Sequence, residues 1–94
     1  MFPTKRYATA RIHREIPLMI QFFLWACIDM LQGAEDYLQV FELSADNGRQ
    51  KIVHKQEEPQ YKKEYYLPCE QALTTKIFVI NDDFYATMLF ADEY

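Results

Sequence analysis

Glycine is almost missing from this sequence. There are two, Gly33 and Gly48, in 94 residues. A glycine-rich phosphate cradle needs several close together, so P-loop and dinucleotide-fingerprint chemistry is excluded. Cysteine and histidine are as scarce, at two each. Cys27, Cys69, His13 and His54 show no Cys-x-x-Cys or His-x-x-x-His spacing, so no zinc site and no other cofactor is expected. The two cysteines read as free thiols in a reducing cytoplasm, with Cys27 on a core-facing helix position and Cys69 in a Pro-flanked segment. No apolar run reaches the ~20 residues that span a bilayer. Basic residues number 10 against 14 acidic ones, a net charge of −4. That balance argues against general nucleic-acid binding and leaves room for a protein partner with a basic patch.

What is present is apolar material: 50% of the chain is hydrophobic and 16% aromatic. This suffices for a real core, excludes global disorder and fits one domain over residues 1–94. The longest apolar stretch, Pro17 to Gln32, has a helical signature. Pro17 suits a first turn, and Gly33 suits a C-terminal cap. At about 100° per residue, Met19, Ile20, Phe23, Cys27, Met30 and Leu31 share one face, with Leu24 at its edge. Gln21, Asp29 and Gln32 lie opposite. Trp25 falls inside that polar stripe, with Leu18, Phe22 and Ile28 nearby. The helix is therefore apolar over more than the ~100° stripe a surface helix needs. Two readings stand: the Phe22–Trp25–Ile28 side meets a partner, or the indole lies down over neighbouring loops. A signal peptide is not expected, because Glu15 and Asp29 intrude and no A-x-A cleavage site follows.

In chain order, Met1 to Pro3 reads as a loose end. Arg6 to Ile12 alternates enough to predict a first strand. Tyr37–Ser44 and Gln50–Gln56 flank Asn47-Gly48, which predicts a hairpin with a type I′ turn. That register sets Leu43 opposite Ile52 and Phe41 opposite His54, with apolar residues inward and charges outward. Tyr61 to Leu67 predicts an edge strand guarded by Lys62 and Lys63. Pro68 to Thr75 is one helical turn or a loop. Lys76 to Ile80 predicts a central strand buried on both faces, and Tyr85 to Ala91 a last strand. The fold class expected is α+β: one long helix packed on a mostly antiparallel sheet of five to six strands, in two layers. Its core would hold the inner helix face with Phe41, Leu43, Ile52, Phe78, Ile80, Met88 and Phe90.

The phrases RYATARIHREIPLMIQFFLWACID, DYLQVFEL, QKIVHKQEEPQYKKEY, TKIFVINDD and MLFADEY resemble domain of unknown function 960, a family of small proteins from Gram-positive bacteria. The resemblance covers nearly the whole chain. It implies a bacterial cytosolic single-domain protein with no assigned activity, cofactor or catalytic residue, so no functional residue carries over.

The residues themselves offer few chemical candidates. A nucleophilic pair between Cys69 and His54 has no local signature, and a partly buried thiol beside a sheet-edge histidine outweighs it. Asn81-Asp82-Asp83 with Asp92 and Glu93 lacks the ligand spacing of a calcium loop and reads as a polar turn. Glu57, Glu58, Glu64 and Glu70 suggest no acid–base pairing. Tyr61, Tyr65 and Tyr66, interleaved with lysines, could stack bases or anchor a protein; the acidic balance disfavours bases. The leading reading is a non-enzymatic interaction module or adaptor, homodimeric through the outer helix face (Phe22, Trp25, Ile28) or joined along the Tyr61–Leu67 edge. The alternative is a small-molecule-binding protein or enzyme with a pocket near His54, between helix and sheet. A third, an acidic mimic of nucleic acid, needs carboxylates gathered on one face, against which the scattered lysines argue.

Overall fold

The structure is a computed structural model that describes residues 5–94, so the loose end read at Met1–Pro3 lies outside it. The elements run β1 (Arg6–Ala8), α1 (Ala10–Glu15), α2 (Leu18–Asp29), β2 (Leu38–Asp46), β3 (Arg49–Gln56), β4 (Tyr61–Pro68), β5 (Thr75–Asn81) and β6 (Ala86–Phe90), followed by a 3₁₀ turn at Ala91–Glu93. The strands form one sheet in the order β1-β6-β5-β2-β3-β4. β1 runs parallel to β6, and every other neighbouring pair is antiparallel.

This corrects the expected architecture of one long helix packed on a two-layer, mostly antiparallel sheet. The structure is a six-stranded mixed sheet with 44% of residues in strands and 23% in helices, and among the described residues α2 is the only helix of seven or more residues. Three local causes set where the helices begin and end. The predicted first strand stops at Ala8, because Thr9 caps a helix: its hydroxyl accepts the Ile12 N–H at 3.2 Å. That helix, α1, ends when Ile16 turns to an extended conformation (φ −105°, ψ 123°) before Pro17. α2 then stops at Asp29, and Gly33, with φ 90°, bends the chain three residues beyond the cap at Met30.

The hairpin follows its turn chemistry. Asn47 and Gly48 both take positive φ, 51° and 77°. Leu43 lies opposite Ile52 and Phe41 opposite His54. On its other side Phe41 faces Ile77, and Val79 faces Met88. These inward residues join Ile12, Ile16, Ile20, Leu24, Cys27 and Ile28 of the helical segment in one core. β5 is buried on one face, not both: Ile77 and Val79 point in, while Phe78 and Ile80 are half-exposed. Neither α1 nor α2 covers the outer face, so the side chains there keep water contact and the expected core places at Phe78 and Ile80 pass to Ile77 and Val79.

Residues 68–75 form no helix beyond the end of β4. The buried Gln50 clamps them instead. Its amide donates to the carbonyls of Leu73 (2.9 Å) and Ser44 (3.0 Å), and its oxygen accepts the Leu73 N–H at 2.7 Å. Gln50→Leu keeps the bulk and strips these bonds. It should cost about 1–3 kcal/mol in urea unfolding. The Leu73 amide should also exchange faster with solvent; unchanged exchange there would show the clamp to be idle.

Candidate functional site

The outer side of α2 is the first surface to build. Gln21, expected outward, is buried, because its amide reaches back to the Ile16 carbonyl at 2.7 Å, left open where α1 ends. That anchor helps set the rotation of α2. Ile28, expected beside Trp25 on the outer face, is fully buried in the core. Met19 and Met30, expected inward, are 83% and 52% exposed. A helix apolar on every side offers little periodic contrast, so a single buried glutamine outweighs the pattern.

The outward side carries Leu18, Met19 and Phe22, all exposed, with Trp25 half-buried against the core. Leu18, Phe22 and Trp25 border a cavity of about 440 Å³ with Arg6, Tyr7 and His13. Arg6 spans the site: its guanidinium lies 4.9 Å from the Trp25 ring centre and donates to the Asp29 carboxylate at 2.5 and 3.2 Å. The guanidinium beside the indole is thus neutralised in place. Tyr7 extends the apolar wall by meeting Tyr85 edge-on at 5.6 Å. The role of Arg6 and the two tyrosines had no sequence signal, since 18 or more residues separate them from Trp25.

His54 is sealed. Its ring stacks on Phe41 at 4.5 Å, meets Tyr61 edge-on at 5.2 Å and is fully buried. Gln39 spends both amide hydrogens on the Asp36 carbonyl and the Gln56 oxygen, at 2.9 and 2.7 Å. Its own oxygen must therefore accept from His54 Nε2 at 2.6 Å, which places the proton on Nε2. His54 Nδ1 has no hydrogen-bond partner among the described residues. Gln56 continues the network to Ala34 and Pro59. The interior around the ring is filled by Phe41, Gln39 and Tyr61, which corrects the expectation of an open pocket there.

The three tyrosines of β4 part company. Tyr65 points inward against Phe23 at 5.1 Å, with its hydroxyl buried near Cys27 and Tyr61. Burial pushes the Cys27 thiol up to about 11 and raises the Tyr65 phenol, so both stay protonated and unreactive. Tyr66 points outward under the Arg49 guanidinium at 4.4 Å. Strand alternation thus divides Tyr61 and Tyr65 from Tyr66. Cys69 and His54 are not brought together: Cys69 bonds to Gly48, and His54 lies six residues further along β3, roughly 20 Å away. Both cysteines are free. The acidic residues near the C-terminal turn have structural partners: Asp92 pairs with Arg11, and Glu93 accepts from Phe90 N–H and the Thr9 hydroxyl. Among the described residues, no three of His, Cys, Asp and Glu gather to hold a metal, and no helix is long and apolar enough to cross a membrane.

Residues 5–93 match the family described as Staphylococcal protein of unknown function (DUF960). The chain belongs to this family. A crystal structure of a protein of unknown function from Enterococcus faecalis has the same fold, with a TM-score of 0.83 and 24% identity over 96% of this chain and 90% of that one. No curated protein matches the chain. Membership of DUF960 carries no assigned activity, so function has to be argued from the surfaces.

Burial lowers the His54 pKa from 6.5 to about 4. The unfolded chain takes up this proton near pH 6.5, whereas the folded chain resists it down to about pH 4. The stability this adds is complete above about pH 7 and is lost as pH falls through that window, by about 3 kcal/mol at most. His54→Gln keeps a donor toward Gln39 and removes the titration. Urea unfolding between about pH 7 and pH 4 should therefore fall less steeply for the variant; equal slopes would acquit the ring.

Proposed function

We propose that this chain is a non-enzymatic protein-interaction module that works in the cytoplasm. It docks a protein, in the first instance a second copy of itself, on the α2 side that carries Leu18, Met19, Phe22 and Trp25. The observation that supports this reading is the groove beside Trp25, bordered by exposed apolar side chains. Leu18, Met19 and Phe22 are 57, 83 and 64% exposed, and Tyr7 is 55%. With roughly 150–250 Å² on each aromatic side chain, these residues with Tyr85 offer on the order of 600 Å² of apolar surface. Monomers rarely leave a contiguous patch larger than about 300–600 Å² in water. A standard interface takes about 800 Å² from each partner.

The centre of this patch also has the make-up of an anchor. Trp25 is held by packing on its inner side and by Arg6 above, so docking freezes little extra motion. Because Asp29 already neutralises Arg6, an apolar partner would not strand a charge. The edge strand β4 is the weaker docking route, since Lys62 and Lys63 are exposed along it and such lysines deter strand addition.

A photo-crosslinking residue placed at position 19, in the native host, tests the reading. An adduct of twice the chain mass supports self-association, and one of another mass supports a different protein partner. Absence of any protein adduct overturns the docking face. In sedimentation at high micromolar concentration, the dimer should dissociate at least tenfold more readily for Phe22→Glu, whose side chain lies outside the core.

A further inference from the structure

The outer face of the sheet carries an arrangement that folding alone does not favour. Lys55 on β3 lies directly opposite Lys62 on β4. Like charges facing each other across strands destabilise a sheet. The same row continues through Val40 to Phe78, and Lys76 stands one row away opposite Glu42. Glu64 stands two residues from Lys62 on the same face, but among the described residues the carboxylate that pairs with these lysines is Glu42. It holds Lys55 at 3.1 Å and Lys76 at 3.8 Å, while Lys62 has no ion-pair partner among the described residues. Two ammonium groups thus share one carboxylate, and the third stands outside the pair. Between them lies a cavity of about 480 Å³ floored by Leu38, Val40 and Phe78, with Glu57 on its rim.

The wider face has the same bias. Its β2–β5 part carries Arg49, Lys51, Lys55, Lys62 and Lys76 against Glu42, Asp46 and Glu64. A face with two excess positive charges belongs to a chain of net charge −4, so the remaining residues carry −6. The basic residues continue along β3 from Lys55 back to Arg49, roughly 20 Å at ~3.3 Å per residue. That length exceeds a small ligand and suits an extended segment of five or six residues.

We infer that this face binds an acidic peptide segment of a partner protein, with carboxylates between Lys55, Lys62 and Lys76 and an apolar side chain on Phe78 and Val40. Charge complementarity sets the acidic character, and the apolar floor sets the flanking residue. A nucleic acid fits less well, because the −6 of the remaining surface repels a long polyanion and few phosphates could be neutralised. The site is independent of the α2 groove, which involves none of these lysines.

The test is an NMR titration of the ¹⁵N-labelled chain with a capped peptide, Glu-Glu-Phe-Glu-Glu, at about 50 mM salt, where surface charge is weakly screened. The amides of Lys55, Lys62 and Phe78 should shift. Lys62→Glu should bind at least tenfold more weakly, and the peptide with Gln in place of Glu should not bind. Lys62→Glu should also melt higher than the wild type, because it replaces a like-charge pair with an opposite one. Absence of shifts, equal binding by Lys62→Glu, or a lower melting temperature for that variant overturns the inference. Binding of decanoate or of an oligothymidine with no response to the peptide overturns it as well, by assigning the face to a free amphiphile or to nucleic acid.

Discussion

Phe41 is held between His54 on β3 and Ile77 on β5, and this registration decides what every other side chain of the sheet does. Side chains alternate with a period of two, so a slip of one residue would turn each strand inside out. Phe41, Leu43, Ile52, Ile77, Val79, Met88 and Phe90 would face water, and the lysines of β3 and β5 would face the helices. The Asn47-Gly48 turn fixes one side of this arrangement covalently. The other side is fixed by packing, since β2 meets β5 through a long excursion of the chain. Once the register is set, three inward glutamines, Gln39, Gln50 and Gln56, cannot escape burial. Each finds backbone partners in the loops at the sheet ends. The core therefore also orders the connections, and the loops depend on the strands that carry these amides.

The hairpin was legible because turn chemistry and alternation agreed on one register. The edge position of β4 was legible from its lysines. The family was legible from whole phrases of sequence. The span of α2 was legible from Pro17 and the apolar run, but α1 and the rotation of α2 were not, for definite reasons. Thr9 was read as one more residue of an alternating strand, although a threonine before Ala10-Arg11 is also a helix cap. α2 is apolar on all sides, so its rotation depends on the buried Gln21 and its bond to the Ile16 carbonyl, which no periodicity reveals. The uncovered outer face was equally hidden. Lys76-Ile77-Phe78-Val79-Ile80 looks like a doubly buried strand because its outward residues are apolar too. Of the residues nominated for contact, Phe22 and Trp25 border one groove, Ile28 is buried, and the tyrosines of β4 point to opposite sides.

The interior and the surfaces divide their tasks. Inside, the groups able to do chemistry are neutralised: His54 is held neutral, and Cys27 and Tyr65 keep their protons. The outer surfaces carry what packing leaves unsatisfied. Along α2 this is apolar area around an anchored indole. On the outer sheet face it is an excess of ammonium groups over a greasy floor.

β1 has β6 as its in-sheet neighbour, so the first strand of the sheet is completed by the last. A ribosome making this chain therefore releases the β2–β3–β4 meander in a form that can pair at once, while β1 waits for a mate some eighty residues away. Until then α1 and α2 have only part of their bed, and their oily sides stand open in the nascent polypeptide. Such distant closure slows assembly and lengthens the interval in which aggregation competes. The newborn chain is thus most exposed to chaperones in the interval before β6 emerges.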